Sequence, residues 1–308
     1  MGVIAQSGVF GNILLDGLHQ RGLFISKAVT LGNRVDVDEC EVLDWLHRDA
    51  DTRVIMMYLE GASDGRLLRE TLGRVTRDKP VLVLKSGRTG AGRAATASHT
   101  GSMSGEDQLY QAAFTQSAAI RADSLEELID MARLFTTQPL PAGNRLGIVT
   151  SSGSLGALAA DAAVAAGLAV PALSRVTEEK VREGAPGWMN VRNPLDVGPS
   201  GKFMDGLAAL LRDPVIDMVL AISVMPFAVL REFLSLGITI RDWLGNAADV
   251  RDAAPEKPVV VCSIGDRGFL ADLDEAVGPQ TPVLTSPENA ARALAALHRY
   301  RLLRGVRS

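Results

Sequence analysis

The chain has 308 residues, a length that suggests two domains, and 47% of them are apolar, enough to fill two ordinary cores. A net charge of −4 and a pI near 5.7 exclude the basic footprint of a nucleic-acid binder. Cys40 and Cys262 are too few for a disulfide framework. The most apolar stretch, Val219 to Leu230, is short for a bilayer and broken by Pro226, and no charged n-region opens a signal peptide. The expectation is a soluble cytoplasmic protein with no membrane and no nucleic-acid partner.

The elements follow a duplicated pattern. Gly2–Gly11 (GVIAQSGVFG) matches Gly147–Gly156 (GIVTSSGSLG) at an offset of 145 residues, and Asp16 and Gly22-Leu23 match Asp161 and Gly167-Leu168. Asp78–Leu84 (DKPVLVL) then matches Glu256–Cys262 (EKPVVVC). Each half closes on a short strand followed by a helix start: Ser124 with Glu127 as a capping box, and Ser286 before Pro287 as an N-cap. In the first half the predicted strands are Val3–Gln6, Lys27–Thr30, Val54–Leu59, Val81–Lys85 and Ala119–Arg121. In the second they are Leu146–Thr150, Val170–Ala172, Met218–Ser223, Val259–Ser263 and Val283–Thr285. Continuous apolar strands separated by amphipathic helices imply parallel sheets covered on both faces. Five strands per half give the α/β fold class: two tandem flavodoxin-like doubly wound domains, residues 1–138 and 144–308, joined by the Pro/Gly-bearing linker 136–144. A strand opening at Val3 with no lead-in creates the expectation of further sequence upstream, in a longer protein or a partner subunit.

Three constellations carry chemistry. The first is the pair of strand-to-helix turns at Ser7-Gly8 and at Ser152, Gly153 and Ser154, where free amides at a helix start favour an anion such as phosphate. Alone, each reads first as a tight turn with a serine cap; the duplication is what suggests two helix N-termini serving one site. The second is the segment 86–105 after the fourth strand, which holds five glycines, Arg88, Arg93 and His99. It reads as a long functional loop, and the matching stretch of the second half has no histidine. A neutral imidazole is a good nucleophile toward phosphorus, with the arginines available to phosphate oxygens; the alternative is a solvated surface histidine. The third is Glu60, at the carboxyl end of a central strand, where such folds place their ligands. It could accept the second N–H of His99 and fix its tautomer, or be an exposed loop carboxylate. His19, His47 and His298 lack partners at metal-ligand spacing. Asp36, Asp38 and Glu39 read as helix-dipole partners, so no metal is expected.

Assembled, these residues resemble the ADP-forming acyl-CoA synthetases, relatives of succinyl-CoA synthetase, nearly end to end. The motifs are Gln6-Ser7-Gly8, Gly32-Asn33 with Asp36, Tyr58–Gly61 (YLEG), Lys85–Arg88 (KSGR), Ser98–Gly101 (SHTG) and Asn193–Asp196 (NPLD); Thr30 stands where the family usually has serine. The resemblance implies that His99 is a transient phosphohistidine carrier flanked by Ser98, Thr100 and Gly101. It implies that Glu60 orients His99, and that the helices at Ser7-Gly8 and Ser152-Gly153 hold the phosphorylated ring. It further implies that CoA and ATP/ADP with Mg are handled by a CoA-binding domain and an ATP-grasp domain or subunit outside this chain. The other implied substrate is a small carboxylic acid, and the assembly a homo- or hetero-oligomer. The same domains also resemble those attached to protein acetyltransferases, which leaves a regulatory or scaffold module as the alternative.

Overall fold

Four residues of unbroken burial, Gly2–Ala5, form β1, and the strands that flank it define the first unit. The computed structural model describes residues 1–32, 34, 36–100, 106–225, 230–232, 235–237 and 254–305, without the side chains of 97–100. Contacts divide the chain into two units, Met1–Thr136 with Arg299–Ser308, and Thr137–His298.

In the first unit β1 lies between β2 (Lys27–Thr30) and β3 (Ile55–Leu59), followed outward by β4 (Val81–Lys85) and β5 (Ile120–Ala122). All pairs are parallel and the order is β2-β1-β3-β4-β5. The connecting helices are α1 (Gly8–Gln20), α2 (Glu39–Arg48), α3 (Gly65–Val75), α4 (Gly90–Thr100), α5 (Asp107–Ser117) and α6 (Leu125–Thr137). Ile4, Ile55, Met57, Val81 and Val83 point to one face of the sheet and pack against Leu43 and Leu46 of α2, Leu68 and Leu72 of α3, and Phe114 of α5. Period-2 alternation in the strands meets period-3.6 stripes in the helices, which is what closes this layer.

The second unit repeats the pattern. β6 (Leu146–Thr150) lies between β7 (Leu195–Asp196) and β8 (Met218–Val224), with β9 (Val259–Ile264) and β10 (Val283–Leu284) beyond, all parallel. Its helices among the described residues are α7 (Gly153–Ala165), α8 (Arg175–Arg182), α9 (Phe203–Arg212), α10 (Arg267–Val277) and α11 (Pro287–Gly305). Read from its β7 edge, the sheet has the order of the first, so both are the doubly wound arrangement expected. The duplicated glycines have one packing role: a Cβ on Gly11 would lie 2.8 Å from Thr30 Cγ2, and one on Gly156 2.9 Å from Thr150 Cγ2. Each lets the first helix of its unit approach a strand.

Two expectations change. The second strand of the second unit is Leu195–Asp196, not Val170–Ala172. Pro171 has no N–H to give a ladder, and this stretch makes only an isolated bridge, Ala169 to Arg145. The Asn193 side chain fills the gap: Nδ2 donates to Leu146 O (2.8 Å) and Pro171 O (2.9 Å), and Oδ1 accepts from Ile148 N at 2.9 Å. Residues 299–308 fall in the first unit, whereas the sequence reading gives all of 144–308 to the second. Tyr300 accounts for this: it is buried, donates its hydroxyl to Thr76 O at 2.9 Å, and meets Phe135 edge-on at 5.7 Å. Among the described residues no helix is long and apolar enough to cross a membrane.

Replacing Asn193 strands two carbonyls and one amide at the edge of β6. Asn193→Ala is expected to lower unfolding stability by about 2–3 kcal/mol, read from the urea midpoint, with an unchanged fold at low denaturant.

Candidate functional site

The carboxyl ends of β1, β3 and β4 each finish on a polar residue after an apolar run: Gln6, Glu60 and Lys85. All three are buried. Gln6 is the hub. Its Oε1 accepts from Glu60 N at 2.7 Å and Gly61 N at 3.1 Å, and its Nε2 donates to Gly61 O at 2.9 Å and Glu39 Oε2 at 3.2 Å. Arg34 Nη1 donates to the same Glu39 oxygen at 3.1 Å and to Gly61 O at 2.7 Å, while Ser63 N donates to Glu39 Oε1 at 3.1 Å. Ala62 N donates to Tyr110 OH at 2.9 Å. With Lys85, whose Nζ donates to Glu60 O, five side chains hold residues 60–63 in place of a regular element.

The Glu60 carboxylate itself is 5% exposed. Oε1 accepts from Tyr58 OH at 3.3 Å; Oε2 is buried and has no hydrogen-bond partner among the described residues. Ser86 Oγ, just beyond β4, is in the same condition. Buried polar atoms are nearly always paired, so an unused carboxylate oxygen at the ligand end of a doubly wound sheet marks a place built for a donor. Lys85 backs the carboxylate: Nζ donates to Glu60 O at 2.8 Å and to Ser86 O, and lies 4.6 Å from the centre of the Tyr110 ring. Burial pushes its ammonium down to about 8.

Helix α1 starts beside this cluster in sequence, after β1. Ser7 is its N-cap, accepting from Phe10 N at 3.4 Å, and the first main-chain helical bond is Gly11 N to Ser7 O. The amides of Gly8 and Val9 therefore precede the helical ladder, Gly8 faces open space, and Val9 is exposed. In the second unit the equivalent start is differently furnished. Ser152 is the N-cap without a side-chain cap bond, and its hydroxyl pairs with that of Ser154 at 3.1 Å. A Cβ on Gly153 would lie 2.6 Å from Asp196 Oδ2, so the Asp196 carboxylate stands close against the positive end of α7. The two turns look alike in sequence but not in electrostatics.

The expected loop at 86–105 is helical from Gly90 to Thr100. Alanines at 91, 94, 95 and 97 favour helix, and Thr89 caps it, its Oγ1 accepting from Gly92 N at 3.1 Å and its carbonyl from Arg93 N at 2.8 Å. The side chains of Ser98, His99 and Thr100, and all of Gly101, lie outside the described residues. Arg88 is engaged by Asp123 at 2.6 Å. Asp38 is the N-cap of α2 in a capping box with Glu41, and His47 bonds Asp78 at 2.7 Å. Burial pushes the Cys40 thiol up to about 12, leaving it inert. The sequence reading does not single out Gln6, Lys85, Glu39 or Arg34 as site residues. The signal that marks Glu60, a polar residue ending a buried strand, applies equally to Gln6 and Lys85.

The doubly wound unit is repeated once along the chain, and the first copy alone ends its central strand on a buried, half-used carboxylate; the class this fits is that of the ligase-type flavodoxin-like domains. Residues 1–135 match the succinyl-CoA ligase like flavodoxin domain. The ADP-forming acetate–CoA ligase II of Archaeoglobus fulgidus is 32% identical over 310 residues, which cover 97% of this chain and 44% of the relative. The alpha subunit of ADP-forming acetate–CoA ligase I of Pyrococcus furiosus is 32% identical over 304 residues, 97% of this chain and 64% of the relative. Among solved structures, the Ca. Korarchaeum cryptofilum dinucleotide forming acetyl-coenzyme A synthetase 1, in complex with phosphate and ADP, aligns with a TM-score of 0.86 at 29% identity. That alignment covers 99% of this chain and 65% of the other. The chain belongs to the ADP-forming acyl-CoA synthetase family and spans less than two thirds of each of these relatives.

The depressed Lys85 ammonium has a consequence for stability. Between about 8 and the ordinary 10.5, the unfolded chain binds the proton that the native state has lost, so the Lys85 contribution to stability rises with pH across that window. The stability of the wild type relative to Lys85→Met, from urea unfolding at pH 7 to 10.5, is expected to climb by up to about 1.4 kcal/mol per pH unit. A difference independent of pH would show that the amine is not held dry.

Proposed function

We propose that this chain is the phosphoryl-carrying part of an ADP-forming acyl-CoA synthetase, with His99 as the carrier and Glu60 as the carboxylate that orients it. One observation carries the proposal: Glu60 is buried at the ligand end of the first sheet with Oε2 unpaired, an acceptor waiting for an N–H. An imidazole that donates one ring N–H to a carboxylate has its tautomer fixed and its other nitrogen free for phosphorus. The chain segment bearing His99 leaves β4 immediately after Lys85 and Ser86, one strand from Glu60.

In this reading a ring nitrogen attacks the terminal phosphorus of ATP, the phosphorus–oxygen bond to ADP breaks, and ADP leaves. The phosphorus–nitrogen bond then breaks as the oxygen of a small carboxylic acid attacks, giving an acyl phosphate and restoring the neutral ring. The thiolate of CoA next attacks the acyl carbon, and phosphate departs. Glu60 stabilises the positive charge on the ring while it carries the phosphoryl group. The open amides of Gly8 and Val9 at the start of α1 suit a phosphoryl oxygen. Ser152, Gly153 and Ser154 are proposed as the second cradle, with Asp196 tempering its positive potential. Nucleotide and CoA are assigned to ATP-grasp and CoA-binding domains or subunits, in keeping with relatives longer than this chain and with relatives described as alpha subunits. Substrates of this kind make the cytoplasm the proposed compartment.

Incubation with a nucleotide-binding partner subunit and ATP labelled at the terminal phosphate tests the assignment. The wild type is expected to take up an acid-labile, base-stable label, and His99→Ala none; equal labelling of the two would end the carrier assignment. Glu60→Gln is expected to slow labelling about 10- to 100-fold with a melting temperature close to that of the wild type.

A further inference from the structure

The two oxygens of Glu60 have different fates, and Tyr58 is the reason. A carboxylate side chain turns freely about its last torsion, where the wells are broad and two-fold, so nothing intrinsic decides which oxygen faces a partner. Here Oε1 accepts from Tyr58 OH at 3.3 Å and Oε2 is left bare. Residues 58 and 60, two apart along the strand direction, share a side of the sheet, which is how the phenol reaches the carboxylate. The Tyr58 ring is itself fixed. It stacks on Phe10 with centroids 3.8 Å apart and planes 20° off parallel, and Phe10 belongs to the first turn of α1, its N–H bonded to the Ser7 cap. Burial pushes the phenol up, so it stays a donor throughout the physiological range. The other charged groups around Glu60 do not donate to its carboxylate among the described residues. Lys85 of β4 donates to the Glu60 main-chain carbonyl, and Arg34 with Glu39 acts on it through Gln6 and Gly61.

We infer that Tyr58 is a positioning residue: its hydroxyl holds one oxygen of Glu60 so that the other is presented to the ring it orients, and its stack on Phe10 keys that choice to the N-terminus of α1. The inference rests on the proposed roles of Glu60 and His99. It adds a mechanical link, running Ser7, Phe10, Tyr58, Glu60, between the amides proposed for phosphate and the carboxylate proposed for the imidazole. A phosphoryl group settling on the α1 amides and the ring held by Glu60 would thereby be kept at a fixed separation.

The full chain carries the test, in two measurements. Tyr58→Phe keeps the ring and its stack while removing the donor. The carboxyl carbon of Glu60, labelled with ¹³C and assigned by its loss in Glu60→Gln, is expected to change its chemical shift at pH 7 in Tyr58→Phe, because the hydroxyl that bonds one of its oxygens is gone. With the partner subunit and labelled ATP, the same variant is expected to label about 10-fold more slowly at saturating ATP, with the ATP concentration for half-maximal rate unchanged. Phe10→Leu, which leaves the hydroxyl in place but unstacks its ring, should fall between the wild type and Tyr58→Phe in both readouts. A Glu60 signal that Tyr58→Phe leaves unmoved would overturn the inference, whether or not labelling slows, since slower labelling alone is the mark of a merely structural effect. If the wild type takes no label yet the Glu60 signal moves in Tyr58→Phe, the carrier assignment fails and the hold of Tyr58 on Glu60 stands.

Discussion

One primary amide organises the ligand end of the first unit. The Gln6 side chain reaches across from β1 and satisfies the main chain of Glu60 and Gly61 with three hydrogen bonds, while its remaining donor contact is spent on Glu39. A parallel strand ends by abandoning its ladder, and the amides just past that point must find acceptors or be wasted in a dry interior. Gln6 supplies both an acceptor and a donor at the right spacing, which neither a carboxylate nor an aliphatic side chain could do. The buried Arg34–Glu39 pair holds Gln6 from behind, and Lys85 holds the Glu60 carbonyl from the other side. Everything proposed for the Glu60 carboxylate presupposes this immobilised turn.

The duplication gives the molecule two frames but not two sites. Both units have the same strand order and the same glycine allowing the first helix to approach the sheet. The second unit ends β8 on Ser223 and Val224 where the first has Leu59 and Glu60, and its α7 start carries Asp196. In the first unit the acid stands at the end of a central strand and the helix start is open; in the second the acid stands at the helix start. A charge has in effect moved from one strand end to another between copies, and the electrostatic character of each helix terminus has followed it.

Most of the fold is legible in the sequence because it rests on patterns that local chemistry enforces. Nine of the ten strands among the described residues coincide with apolar runs bounded by turn residues, and their order follows from the doubly wound rule. The exception, Val170–Ala172, shows where such reading gives out: two residues, Leu195 and Asp196, take the edge position because an asparagine side chain substitutes for a ladder, and no periodicity encodes that. The segment around His99 reads as a loop from its glycines, yet alanines between them and a threonine cap make it helical. Glu60 can be singled out from its place at a strand end. The dependence of that carboxylate on Gln6, 54 residues earlier, cannot, because a hydrogen bond between two strand ends leaves no mark in either local sequence.

Tyr300 has a consequence for how the chain can be divided. It completes the interior of the first unit from a point 224 residues after its partner Thr76, so the second unit is an insertion within the first. A chain cut after Thr136 would therefore lack Tyr300 and leave the Thr76 carbonyl without that donor.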